Sequence, residues 1–251
     1  VLHILLTRPQ QDACRTARAL EALGHRVTTV PLFEIAYQDL GAVQVSDNTA
    51  FVFTSANGVR AWANAMQSGA FSAARIALIL AAPCFVVGPQ TGAAARDLGF
   101  VHVWAADNTG SDLIDLVCRQ LDPARTAVLH VRGATVATDI VRALRAARFA
   151  CRSVVAYRQE PRPAAADELE AVFTLSRHRP EAAAFFSPRT AQRFRSLIEE
   201  RQISSPLRNV TALCFSQAVA DNLNGLKFRS VRIARVPSQS ALIDLIHALE
   251  V

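Results

Sequence analysis

The sequence predicts an internally duplicated α/β protein whose halves are parallel sheets flanked by helices. Three observations point there. Hydrophobic residues make up 51% of the 251 positions and charged residues 19%, the balance of a globular core and not of a disordered chain. Short β-type runs alternate with helical patterns along the whole length, the arrangement that gives parallel strands with crossover helices. The same succession of elements then occurs a second time.

The first copy opens with Leu5-Leu6-Thr7-Arg8-Pro9, a strand end and turn. A helix with Ala13, Ala17 and Leu20 on one face follows, then a strand from Arg26 to Val30. The plan returns at Val128 to Gly133, with Val136, Ile140 and Leu144 as the helical face. Phe51 to Ser55 is echoed by Ala184 to Pro188, and Phe85 to Gly88 by Ala212 to Ser216. Leu113-Ile114-Asp115-Leu116 recurs as Leu242-Ile243-Asp244-Leu245, 129 positions later, close to the 124 that separate Leu5 from Leu129. Gly24, Gly99 and Gly225 sit where helices should end in a left-handed residue. Gly88-Pro89 and Ser187-Pro188 read as a cap followed by proline at the first helical position. Pro31 to Tyr37 and Ala156 to Pro163 read as linkers, and Gly41 to Asn48 and Ala164 to Ser176 as connectors into the next strand.

Composition also excludes several classes. The longest apolar run, Ile76 to Val87, contains Pro83 and falls well short of the roughly 20 residues of a membrane-spanning helix. Arg8 and Pro9 end the apolar start, so no secretory signal is expected there and a cytoplasmic location is. The five cysteines are scattered without a CxxC pair, and the histidines lack metal-ligand spacing, so reduced thiols and no metal are expected. Net charge is +6, and of 27 basic residues only Lys227 is lysine. Arginine bias of a GC-rich genome accounts for this, as does attraction of an acidic ligand by guanidinium forks. No dense basic run or nucleic-acid motif accompanies it, so no nucleic-acid partner is expected.

In open α/β sheets ligands bind beyond the carboxyl ends of strands, where helix starts present backbone N–H groups. The candidates are Thr7, Arg8 and Pro9; Ser55, Ala56 and Asn57 after Thr54; Gly88 and Thr91; Arg132 and Gly133; Ser187, Pro188 and Arg189; and Ser216. Each hydroxyl is also a plain helix cap, worth about 1 kcal/mol. Taken as a repeated set, these turns suggest a cleft between two domains that binds a polyanion. No GxSxG, Walker A or GxGxxG motif is present, which leaves positioning and electrostatics as the means of any catalysis.

These motifs carry a resemblance. Leu-Leu-Thr-Arg-Pro at the start, Phe-Thr-Ser-Ala-Asn-Gly-Val-Arg at 53–60, Val-Gly-Pro-Gln-Thr at 87–91, Leu-His-Val-Arg-Gly at 129–133, Val-Ala-Tyr-Arg at 155–158 and Phe-Ser-Pro at 186–188 fall in the order seen in the uroporphyrinogen-III synthase family. The resemblance implies two flavodoxin-like α/β domains joined by a two-stranded β-ladder. On this chain those domains would be 1–34 plus 158–251 and 38–154, with ladder strands at about 32–37 and 154–159. It further implies a lyase of haem biosynthesis that closes hydroxymethylbilane, a linear tetrapyrrole with eight carboxylates, to uroporphyrinogen III. Water is lost and ring D is inverted through a spiro intermediate, without a cofactor. Tyr157 would face the cleft as a general acid, against the alternative of a packing tyrosine on a ladder strand. A monomer that takes its substrate by transient hand-over from the bilane-forming enzyme is expected, with no nucleic-acid or membrane partner. The second Gly-Pro-x-Thr position departs from the family pattern, because Val219 stands where Thr91 stands in the first. The main alternative is a two-lobed cytosolic binding protein for an anionic metabolite.

Overall fold

The elements follow the apolar pattern closely in a computed structural model, which describes residues 1–106, 109–135, 138–175, 179–236 and 238–249. The first are β1 (His3–Leu6), α1 (Gln10–Ala22), β2 (Arg26–Thr29), β3 (Phe33–Tyr37), β4 (Thr49–Phe53), α2 (Ala56–Gln67), α3 (Ala73–Ala81) and β5 (Pro83–Val87). Next come α4 (Pro89–Leu98), β6 (His102–Ala106), α5 (Gly110–Gln120), β7 (Ala127–Gly133), α6 (Ile140–Ala146), β8 (Ala150–Pro161) and α7 (Ala165–Glu170). The chain closes with β9 (Ala182–Phe185), α8 (Pro188–Glu200), β10 (Thr211–Cys214), α9 (Gln217–Asp221), β11 (Ser230–Ile233) and α10 (Gln239–His247).

Two units result, residues 1–34 with 160–251, and residues 35–159. The first holds a five-stranded sheet in the order β11-β10-β9-β1-β2, parallel throughout. The second holds a six-stranded sheet in the order β3-β8-β7-β4-β5-β6. Its last five strands are parallel. Strand β3 runs against β8, because Arg162 N–H bonds Leu32 O while Gln38 N–H bonds Ala156 O, so numbers fall on one strand as they rise on the other.

Each parallel sheet buries both faces, and the period of two along each strand decides which helices it meets. In the first unit Leu5, Ala183, Phe185 and Cys214 pack with α7, α8 and α9, while Ile4, Leu6, Ala184 and Leu213 pack with α1 and α10. In the second, Phe51, Phe53, Val86 and Leu129 face Trp62 of α2 and Ile79 of α3. Val52, Phe85 and Val128 face Val117 of α5 and Leu144 of α6. Trp62 meets Phe51 edge-on at 5.2 Å, and Phe100 closes on both Phe51 and Phe53.

Several expectations are refined. The apolar run Ile76 to Val87 divides into α3 and β5 at Pro83, which has no N–H to continue a helix and holds Ala82 extended at ψ 152°. The segment read as a connector from Ala164 folds as α7 and a π-helical turn, Ala171–Leu175, because Ala165, Leu169 and Phe173 recur every four residues and are all buried. Ser176, its expected end, lies outside the described residues, as does Val136 of the second helical face. Strand β8 is one continuous element of 12 residues that merges the repeat's second strand with the ladder strand. Nothing from Ala150 to Glu160 is glycine or proline, so nothing breaks it. Gly24 and Gly99 end α1 and α4 at φ 87° and 108°, whereas Gly225, also left-handed, falls in the turn beyond α9.

Phe51→Ala should lower unfolding free energy by about 3–5 kcal/mol in urea titrations. Val101→Ser, at a side chain 71% exposed, should change it by less than about 0.5 kcal/mol.

Candidate functional site

In both sheets the strand order reverses at one place, between β1 and β9 in the first unit and between β7 and β4 in the second. In open α/β sheets such a place is where crossovers diverge and where ligands bind, beyond the carboxyl ends of the two strands. The sequence-predicted turns fall at these two places and on the neighbouring strands β5, β8 and β10.

In the first unit Thr7 is fully buried, and its hydroxyl donates to Ala184 O at 3.0 Å, tying β1 to β9. Arg8 lies over the Phe186 ring at 4.3 Å, reaches Thr16 Oγ1 at 3.3 Å and sits 3.7 Å from Asp12. Its guanidinium is thus held on the protein, with part of its charge already answered. Pro9 is the N-cap of α1 and offers no side-chain acceptor. Ser187 caps α8, accepting the Thr190 N–H at 3.2 Å, with Pro188 in the first turn. Arg189 lies over Phe33 at 4.7 Å. Ser216 accepts the Val219 N–H at 3.4 Å, but α9 has only five residues and a correspondingly weak dipole. Val219 is buried in the core, so the hydroxyl that the first repeat carries at Thr91 has no counterpart here.

In the second unit Ser55 caps α2 by accepting the Asn57 N–H at 3.1 Å, which leaves Ala56 as its first residue. Asn57 is buried and takes a 2.7 Å bond from Arg60. Gly88 caps α4 at φ 77°, where a side chain would be strained, and its N–H goes to Ala106 O. Helix α4 therefore starts without a side-chain acceptor. Thr91, in its first turn, is buried, and its hydroxyl has no hydrogen-bond partner among the described residues.

Arg132 and Gly133 end β7, but no helix starts directly after them. Helix α6 begins at Ile140 with Asp139 as its cap, so this turn is a departure from the expected strand-to-helix pattern. Arg132 Nε donates to Ser153 Oγ at 3.2 Å, and Nη1 donates to Gly133 O and Ala134 O. A bulge shifts the register so that Arg132 pairs with Val155 and Gly133 with Tyr157. The Tyr157 ring then lies directly on Gly133, where an added Cβ would stand 2.8 Å from Cζ. Tyr157 is half-buried and packs against the α2–α4 core.

One residue escaped the sequence reading. His130 is buried on β7, with Nε2 3.5 Å from Thr54 Oγ1 across the β7–β4 junction. Burial, and then the Arg132 charge, push its pKa down to about 4 against a weaker opposing pull from Asp139, so the ring is neutral near pH 7. It lines a cavity of about 470 Å³ with Arg132, Thr138, Asp139, Arg145, Arg152 and Ser153. Three guanidiniums face one carboxylate there, and Asp139 also lies 4.0 Å from Arg142. A lone histidine in an apolar strand gives no signal of its own; only the pairing of β7 with β4 reveals it. No cluster of three or more His, Cys, Asp or Glu among the described residues could hold a metal ion. No helix among them is long and apolar enough to cross a membrane.

Fold and turns together define a two-unit α/β protein with helix starts and arginines at the carboxyl ends of its parallel strands. The chain belongs to the uroporphyrinogen-III synthase family: the family profile described as uroporphyrinogen-III synthase HemD matches residues 15–244. None of the curated proteins matches the sequence significantly. Among solved structures, uroporphyrinogen-III synthetase from Helicobacter pylori 26695 superposes with a TM-score of 0.63 at 16% identity, over 99% of this chain and 100% of that one. A mutant uroporphyrinogen III synthase from the extremely thermophilic bacterium Thermus thermophilus gives 0.52 at 19% identity, over 100% and 99%. At these identities the likeness concerns the fold.

Two outcomes are expected. Unfolded histidine takes its proton near pH 6.5 and buried His130 only near 4, so between those values the unfolded chain binds more protons and stability falls as pH drops. Denaturant titrations of His130→Gln should show a slope over that window smaller by close to one proton. Gly133→Ala must displace the Tyr157 ring and should cost about 1–3 kcal/mol in the same measurement.

Proposed function

We propose that the protein is a uroporphyrinogen-III synthase, a lyase that closes hydroxymethylbilane to uroporphyrinogen III with loss of water and inversion of ring D through a spiro intermediate. The family match over residues 15–244 carries this reading. The chemistry of the turns supports it. A substrate with eight carboxylates needs many modest donors more than one strong site. The starts of α2, α4 and α8 with Arg132 and Arg189 supply such donors, the helix starts through main-chain N–H groups. The Thr91 hydroxyl, with no partner among the described residues, is available to a substrate oxygen.

In this proposal the bilane is held in one folded geometry, which favours attack at the substituted carbon of ring D over simple end-to-end closure. The Tyr157 hydroxyl donates a hydrogen bond to the leaving hydroxyl, the C–O bond breaks, and the oxygen departs as water. The pyrrole N–H beside the departed hydroxyl gives up the proton that completes the water, and the methylene carbon left behind bonds to the substituted carbon of ring D to give the spiro species. The bond from that carbon to the bridge toward ring C then breaks, and the freed bridge carbon bonds to the other α-carbon of ring D, which loses its proton. A neutral His130 beside Arg132 leaves the cationic character of that cavity to the arginines.

Hydroxymethylbilane should be supplied to the protein, and the oxidised porphyrin isomers then resolved by chromatography. The type III isomer is expected, and type I alone would overturn the reading. Tight binding of the bilane with type I product would mark a binding protein instead. Tyr157→Phe should keep the fold and lower turnover about 10- to 100-fold, with little change in KM.

A further inference from the structure

We propose that the second unit carries another small-molecule site, at the amino-terminal edge of its sheet, that takes an amphipathic organic anion: a carboxylate on an aromatic or branched apolar body. A cavity of about 520 Å³ lies where β4, β7 and β8 begin, lined by Val45, Thr49, Leu129, Phe149, Arg145 and Arg152 among others. Strands β4, β7 and β8 are parallel, so this edge is the opposite one from the turns at Ser55 and Gly133. The length of β7 separates the two by about 20 Å. The volume is that of a pocket for a ligand of drug-like size.

Its chemistry is divided. The floor is apolar, with Val128, Leu129, Phe149 and Cys151 all buried. Burial pushes the Cys151 thiol up to about 11, so it belongs to the floor as a neutral group. Two guanidiniums stand at the rim, each anchored on a main-chain carbonyl and not on a carboxylate: Arg145 Nε donates to Cys151 O at 2.8 Å, and Arg152 Nη2 donates to Gln44 O. Neither makes an ion pair among the described residues. Each anchor fixes a fork in place and leaves its charge and its remaining N–H groups unanswered, which is a preorganised seat for a carboxylate. An apolar body on the floor and a carboxylate between the forks satisfy both halves. A neutral apolar ligand would leave the charges unused, and a bare inorganic anion would leave the floor wet. Arg145 and Arg152 also line the His130 cavity, so occupancy of one cavity draws on charges that serve the other.

The probe is 1-naphthoate, titrated into the ¹⁵N-labelled full chain, with 1-naphthylmethanol as its uncharged analogue. Expected is saturable binding at about 1 mM or tighter, with amide shifts concentrated at 44–46 and 149–152. The Arg145→Gln/Arg152→Gln double variant changes two exposed side chains and should weaken binding at least about tenfold while the rest of the spectrum is retained. Ala150→Trp should block the cavity and abolish binding with both arginines present. The proposal is overturned if binding does not saturate, if shifts concentrate at 130–141, if the alcohol binds as tightly as the acid, or if Ala150→Trp binds normally.

Discussion

Parallel pairing of β1 with β9 and of β4 with β7 is the interaction on which both sheets depend. Each pair joins a strand of the first sequence repeat to a strand of the second. The first repeat supplies β1 and β2 to one unit and β4, β5 and β6 to the other, and the second repeat reciprocates with β7 and β8, then β9, β10 and β11. Within each sheet the order is the same, β2-β1-β9-β10-β11 matching β8-β7-β4-β5-β6. The exchange sets the two junctions between strands of different repeats, and those junctions are where the crossovers diverge. Thr7 bridging to Ala184, and His130 approaching Thr54, are side chains that span these junctions.

The exchange explains which parts of the fold were legible in the sequence. Repetition showed that four strands and the helices beside them occur twice, since periodicity and turn residues are local properties; β6 and β11 appear only in the structure. Pairing is not local, and neither repeat contains a residue that announces its partner. The echo of Phe51–Ser55 in Ala184–Pro188 is also displaced by one position. Ser55 and Ser187 are the two N-caps, and Phe53 and Phe185 each stand two residues before them, facing the helices that those serines start. A shift of one residue along a strand exchanges its faces, so the corrected alignment is the one that keeps both phenylalanines in the cores. His130 and the Gly133–Tyr157 contact were hidden for a related reason. The first needs β4 beside β7, and the second needs a bulge that no turn residue marks.

Arginine content read as bulk composition said little, whereas placement says more. Arg8, just beyond β1, and Arg132, at the end of β7, occupy equivalent positions in the two repeats, yet their surroundings have diverged. Arg8 has Asp12, Thr16 and a phenylalanine ring, and Arg132 has carbonyls and Ser153. A guanidinium tethered to carbonyls keeps its full charge; one beside a carboxylate presents a reduced field. Arg132 thus keeps more of its charge than Arg8 does, and His130, kept neutral by burial, adds nothing to it near pH 7.

Cap and ligand roles at the helix starts are not rivals. A serine that caps a helix accepts an N–H with its oxygen lone pair and keeps its own O–H to donate. Ser55 and Ser216 can therefore hold their helices and still offer one hydrogen bond outward, whereas the Ser187 hydroxyl also lies 2.9 Å from Thr190 Oγ1. The start of α4 is built differently. Gly88 contributes no acceptor, its left-handed backbone turns the chain into the helix, and Pro89 removes one N–H that would otherwise need a partner. What remains is a first turn with few internal obligations and a threonine whose hydroxyl has no hydrogen-bond partner among the described residues. In the other repeat the same position became Val219 and turned into the core, which shows that the fold itself has no need of the hydroxyl.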